Sequence, residues 1–171
     1  MTIGWVLPVV WAGLGAVIVT CSLRAARSRC AYVIGVSAVS VLWVVAGAAV
    51  NAYLLARGAD YSGFADGAST SFVRETWQSV VVPHHGLFIG LLIGFEAVAG
   101  ALVLVEGAVR QWTLVVLIGF TVALVSFGWG FLVWSVPMVV ALILLLRAGR
   151  DADRLQGQRR AAPSARAGAV P

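Results

Sequence analysis

The chain has 171 residues, of which 61% are hydrophobic and 11% charged, with a formal net charge of +5. A soluble domain carries roughly 45–50% apolar and about 25% charged residues, so a chain with a mean hydropathy of +0.97 lacks the polar surface a water-soluble globule needs. Disorder requires low hydrophobicity and is excluded for most of the length, which leaves an all-α integral membrane protein.

Every basic residue is Arg, and there are two Cys and two His. Without Lys there is no Schiff-base chemistry and no Walker lysine, which removes retinal and pyridoxal-phosphate proteins and P-loop ATPases. Two Cys and two His are too few for an all-protein Cys and His cage for zinc or an iron–sulfur cluster, and no metal site of that kind is expected. There is no C-x-x-C, no serine elbow and no zinc-protease motif. Arg without Lys, with abundant Ala, Gly and Val, suggests a GC-rich bacterial gene.

About 20 apolar residues, at 1.5 Å rise each, cross the ~30 Å hydrocarbon layer. The first such run is 3–23, closed by Arg24, Arg27 and Arg29. Its basic cluster follows the apolar run, which suits an uncleaved anchor better than a signal peptide. The second run, 31–56, ends at Arg57-Gly58. Cys21 and Cys30 flank the loop between them, on the reducing side of the expected topology, and no disulfide is expected.

Residues 57–85 form the one sizeable segment outside the membrane. Within Ser69–Val82, the residues Val73, Trp77, Val80 and Val81 recur at helical spacing after a capping hydroxyl. This predicts a short interfacial helix on the outer leaflet, ended by Pro83.

The third run, 86–105, holds a single charge, Glu96. The uncharged stretch 111–146 would make one helix of roughly 54 Å, far more than a bilayer needs. Gly128 and Gly130 permit a reversal, so two spans, 111–127 and 130–147, are expected. The resulting five-span bundle, with its N-terminus outside, places ten arginines inside and two outside (Arg57 and Arg74), which satisfies the positive-inside rule. The expected location is a bacterial inner (plasma) membrane with the C-terminus in the cytoplasm. The basic tail, 148–171, is expected to be disordered. Trp11, Trp43 and Trp134 fall outside the aromatic belts, so they are expected inside the bundle or against lipid.

Glu96 is the only ionisable group well inside a span, and a carboxyl there costs at least ~2.5 kcal/mol. It should face the bundle interior and either find a hydrogen-bond partner or carry its proton. Asn51, Thr121 and Ser126 are the candidate partners. Two readings stand: a proton-carrying or ligand-orienting group, or a polar link between helices. Gly86, Gly90 and Gly94 form a small-residue stripe, extended by Ala97 and Ala101 and flanked by Gly100, that predicts a close helix–helix seam. His85, eleven residues before Glu96, is three turns away on nearly the same face, about 16 Å distant. His84 and His85 are a solvated interfacial pair, the mouth of a cavity leading towards Glu96, a contact to a quinone carbonyl, or part of a metal site with Asp60, Asp66 or Glu75. Adjacent histidines on a helix diverge by about 100° and do not converge on one centre.

Three segments together carry a resemblance: Val82-Pro83-His84-His85, then Phe88-Ile89-Gly90-Leu91-Leu92-Ile93-Gly94-Phe95-Glu96, then Gly100-Ala101-Leu102-Val103-Leu104. They resemble the glutamate-containing helix of the DoxX-like family, small bacterial membrane proteins with a four-helix bundle. The likeness extends more loosely through Thr113–Leu124 and covers about 31–147. It implies that spans two to five match the family bundle and that the first helix is an addition. Some family members are similar to membrane subunits of sulfur-compound:quinone oxidoreductases, which implies quinone as a ligand and Glu96 as the matching position.

The expected function is therefore an accessory membrane subunit without catalysis of its own, with a quinone or lipid-like molecule in a cavity near Glu96, Asn51, His84 and His85. The expected partners are the lipid bilayer and a membrane protein or second copy, not nucleic acid. A structural protein docking a partner helix, or a small proton-coupled transporter, are the alternatives.

Overall fold

The structure is a computed structural model; it describes residues 3–167, with side chains from Pro8 to Leu155 and at Gln158. All regular structure among the described residues is helical. Helix α1 spans Ile3–Arg24. Helix α2 spans Arg29–Ala56, and its middle, Leu42–Ala49, is wound as a π-helix. Helix α3 is the short Ser71–Thr76, continued by a π turn at Trp77–Val81. Helices α4 (His85–Leu102) and α5 (Ala108–Leu124) follow, and α6 spans Trp129–Ala167.

Four helical segments are long and apolar enough to cross a membrane: Arg29–Ala56, His85–Leu102, Ala108–Phe127 and Trp129–Leu155. The stretch Pro8–Arg24 of α1 is apolar but shorter. These are the features of a helical membrane protein.

Local chemistry explains where the helices start and stop. Ser28 is extended and its hydroxyl accepts from the Ala31 amide at 3.2 Å, capping α2. At the other end Gly58 takes φ +68, while Gly58 N donates to Leu55 O and Ala59 N to Leu54 O, both at 3.0 Å. That is a Schellman closure, which favours glycine at this position. Between α4 and α5, the Arg110 guanidinium donates to the carbonyls of Val103 and Leu104, both at 2.9 Å, satisfying the orphan acceptors at the end of α4.

The core lies where α1, α2, α5 and α6 meet. Ile18, Val39, Leu114, Leu117, Leu142 and Leu145 are essentially inaccessible there. Trp11 of α1 and Trp134 of α6 pack with ring centroids 5.2 Å apart, and Trp43 of α2 is buried. In a bilayer such contacts hold by close packing, because lipid tails are as apolar as the side chains they would replace.

Two expectations need correction. Among the described residues, no other helix of this chain packs on the glycine stripe of α4. A Cβ placed on Gly86, Gly90 or Gly94 meets no neighbouring atom within 4 Å, and all three glycines are exposed. The packed face of α4 carries Ile89, Glu96, Ala99 and Gly100 instead. A carboxyl in lipid costs far more than an exposed glycine, so burying Glu96 decides which face turns inward. The tail is also not disordered from residue 148, since α6 stays helical to Ala167. Its Ala, Arg, Gln and Leu are good helix formers, and a helix already nucleated by a span propagates readily. Gln111 of α5 donates to Asp153 at 2.6 Å, fastening the extension to the bundle. Residues 168–171 of the tail lie outside the described residues.

Candidate functional site

Glu96 sits on the buried face of α4, 6% exposed. Its neighbour is the π-helical segment of α2, the most extensive interhelical partner of α4. A π turn widens the helix and alters which carbonyls remain bonded; such turns are frequent at functional sites. Here Trp11 of α1 donates its indole N–H to the Ala46 carbonyl at 3.1 Å, so α1 also engages the segment.

Two small residues make the approach possible. A Cβ on Gly47 would lie 2.9 Å from the Glu96 carboxyl carbon, and one on Gly100 would lie 2.6 Å from a Val44 methyl group. Asn51, one turn beyond Gly47, donates its side-chain N–H to Glu96 Oε2 at 2.9 Å. It is the only hydrogen-bond partner of the carboxyl among the described residues. Thr121 and Ser126 turn away: their hydroxyls donate to the carbonyls of Leu117 and Ala123 in their own helical segment.

An aromatic cluster flanks the pair. Trp43 packs edge-on against Phe95 (6.0 Å) and Phe120 (5.3 Å), and those two phenyl rings are 4.9 Å apart. The Trp43 indole N–H is buried and has no partner among the described residues. The cluster was not legible as a unit in the sequence, because its rings come from three helices.

The histidines stand apart from this pair. His85 is the first residue of α4 and His84 its cap. Both are exposed, and their Nδ1 atoms lie 3.0 Å and 3.1 Å from the Val82 and Val80 carbonyls respectively. Nδ1–H donation in that arrangement leaves each Nε2 as an acceptor. His85 stacks on Tyr61 at 6.1 Å. No group of three or more His, Cys, Asp or Glu that could hold a metal occurs among the described residues.

The outer segment folds down on the α5–α6 turn. Phe64, Trp77, Phe127 and Phe131 form one aromatic cluster, with Phe64–Trp77 at 4.9 Å and Phe64–Phe127 at 5.1 Å. Trp77 donates its indole N–H to Tyr61 O at 2.8 Å, and the Ser69 amide donates to Ser126 O at 2.9 Å. Asp60 accepts from both the amide and the hydroxyl of Ser62. The amide bond, then the hydroxyl bond, holds its carboxyl below the ordinary value. Burial pushes the Tyr61 hydroxyl up.

Among the described residues, cavities of about 500 Å³ open at two places. One lies at the arginine-rich end of the bundle, among the α1–α2 turn, the α4–α5 turn and the start of the α6 extension. The other is an apolar groove between α4 and α5, lined by residues including Phe95, Leu102, Trp112 and Val116. Neither is lined by Glu96 or His85. Comparisons with family models, with curated proteins and with solved structures found no match to this chain.

Proposed function

We propose that this chain is a five-span accessory membrane protein, DoxX-like in its last four spans, that holds a quinone or lipid-like molecule beside Glu96 and has no catalytic activity of its own. The first span is α1, with the N-terminus outside and the C-terminus in the cytoplasm. The observations that support this reading are the buried carboxyl of Glu96, packed against the π-helical segment of α2 with a single hydrogen bond, and, on that same segment, the indole N–H of Trp43, which has no partner among the described residues. An intramembrane acid is a functional candidate by default. A ligand carbonyl has a donor in the indole, and a ligand hydroxyl has an acceptor in the carboxyl.

The test is direct. Protein purified in mild detergent is extracted with organic solvent and the extract assayed for quinone and lipid, for wild type, Glu96→Gln and Trp43→Phe. Retention by wild type and loss in both variants supports the reading. No retained molecule in wild type, together with no shift in melting on adding quinone, overturns it. Tags at Gly130 and Pro171 test the topology, and finding both on one side removes the five-span arrangement.

A second reading has an observation of its own. The unfilled stripe at Gly86, Gly90 and Gly94, beside exposed Leu87 and Leu91, favours a protein that docks a partner helix. Gly90→Ile then abolishes recovery of the partner, or of a second copy, without changing the melting of the monomer; unchanged recovery removes this reading.

A further inference from the structure

The cavity at the arginine end of the bundle is independent of the Glu96 site. Its volume of about 500 Å³ falls within the range of roughly 300–1,000 Å³ typical of ligand sites. Three chain segments wall it, and each brings charge: Arg27 from the α1–α2 turn with Arg29 at the start of α2, Glu106 and Arg110 from around the α4–α5 turn, Asp151 and Asp153 from α6.

Their commitments differ. Arg110 is spent on the Val103 and Leu104 carbonyls. Its guanidinium also covers the Tyr32 ring, with 5.6 Å from its carbon to the ring centroid. Asp153 is held by Gln111. Among the described residues, Arg27, Arg29 and Glu106 enter no ion pair, and Asp151 has only Arg154 at 4.0 Å, with both side chains largely exposed. Two cationic and two anionic residues thus line one cavity, and among the described residues no ion pair joins them across it.

We infer that this cavity binds a phosphoethanolamine group, with its phosphate on Arg27 and Arg29 and its ammonium on Glu106 and Asp151. Guanidinium groups suit phosphate oxygens, and the carboxylates offer acceptors to an N–H-bearing ammonium. A purely anionic headgroup would meet two opposing carboxylates. A choline group has no N–H to donate and needs an open aromatic face, and the one ring on the wall, Tyr32, is already covered by Arg110. The group can arrive as the headgroup of a membrane lipid or as a soluble phosphoethanolamine compound.

The experiment is native mass spectrometry of the full chain in detergent. It is titrated with phosphatidylethanolamine, phosphatidylglycerol and phosphatidylcholine of identical acyl chains, with soluble glycerophosphoethanolamine as competitor. Wild type is expected to retain phosphatidylethanolamine at least about tenfold more tightly than the other two lipids. The exposed double variant Arg27→Gln/Arg29→Gln and the single variant Asp151→Asn are each expected to lose that preference while melting, lipid-free, as wild type does. Competition by the soluble compound at concentrations equal to the lipid identifies a soluble ligand; competition only in large excess identifies the lipid. Equal retention of the three lipids by wild type, or an unchanged preference in both variants, overturns the assignment.

Discussion

Asn51 donates to Glu96 across 2.9 Å, joining α2 to α4 at the only carboxyl buried between helices among the described residues. The bond spans 45 residues of sequence, and Gly47 leaves room for it by offering no side chain. Asn51→Ala leaves a buried carboxyl without a partner and is expected to cost about 1–3 kcal/mol. Glu96→Leu combined with Asn51→Leu is expected to recover most of that loss, because an apolar pair has nothing to satisfy. Denaturation in mixed micelles through the full double-mutant cycle should give a coupling of roughly 0.6–1.7 kcal/mol; a coupling of zero would show that the pair does not bind the helices together.

The glycines of α4 and α2 divide by environment. Gly47→Ala and Gly100→Ala drive a methyl group into the Glu96 carboxyl and the Val44 side chain, and overpacking of that kind costs about 1–3 kcal/mol. Gly86→Ala, Gly90→Ala and Gly94→Ala meet open space and should be neutral or stabilising by up to about 1 kcal/mol, since helical glycine is disfavoured. Thermal melting of the five variants ranks them. A large loss at Gly90 would show that something packs on that face.

Gly128 is the hinge between α5 and α6. Its φ of +118 is accessible to glycine and strained for other residues, and a Cβ there would run into the Gly67 carbonyl. Gly128→Ala is expected to cost at least about 1–3 kcal/mol and to lift the outer segment off the turn. Limited proteolysis between Gly58 and Val82 should accelerate, and Trp77 fluorescence should shift to longer wavelength; protection equal to wild type would contradict the clamp.

The outer segment should also loosen in acid. The Asp60 carboxyl, held by the Ser62 amide and hydroxyl, lies below its ordinary value of 3.8. A depressed folded-state value means that its stabilisation is complete above the unfolded value and disappears as pH falls through the folded one. Proteolysis of the segment should therefore be constant from neutral pH to about 4 and rise below 3.8, using an acid-stable protease. Asp60→Asn should flatten that rise, and an identical profile in the variant would assign the acid response to another group.

Composition pointed to a membrane protein, and uncharged apolar runs of about 20 residues, too long for barrel strands of about 9–11, pointed to helices. Residue identity also singled out Glu96 as the one acid set between helices. The sequence offered Asn51 as a partner only among three candidates. Which small residues of α4 meet a neighbour was decided by tertiary structure. In a bilayer both faces of a helix are largely apolar, so Glu96 was the one polar mark of the packed side, and which small residues share its face with a neighbour was left to the packing. The glycine stripe was therefore legible while its lack of a neighbour was not. The same holds for the rings of Trp43, Phe95 and Phe120, for the clamp of Phe64 and Trp77 on Phe127, and for the charged cavity. Each is assembled from segments far apart in sequence, and only the packing of whole helices brings them together.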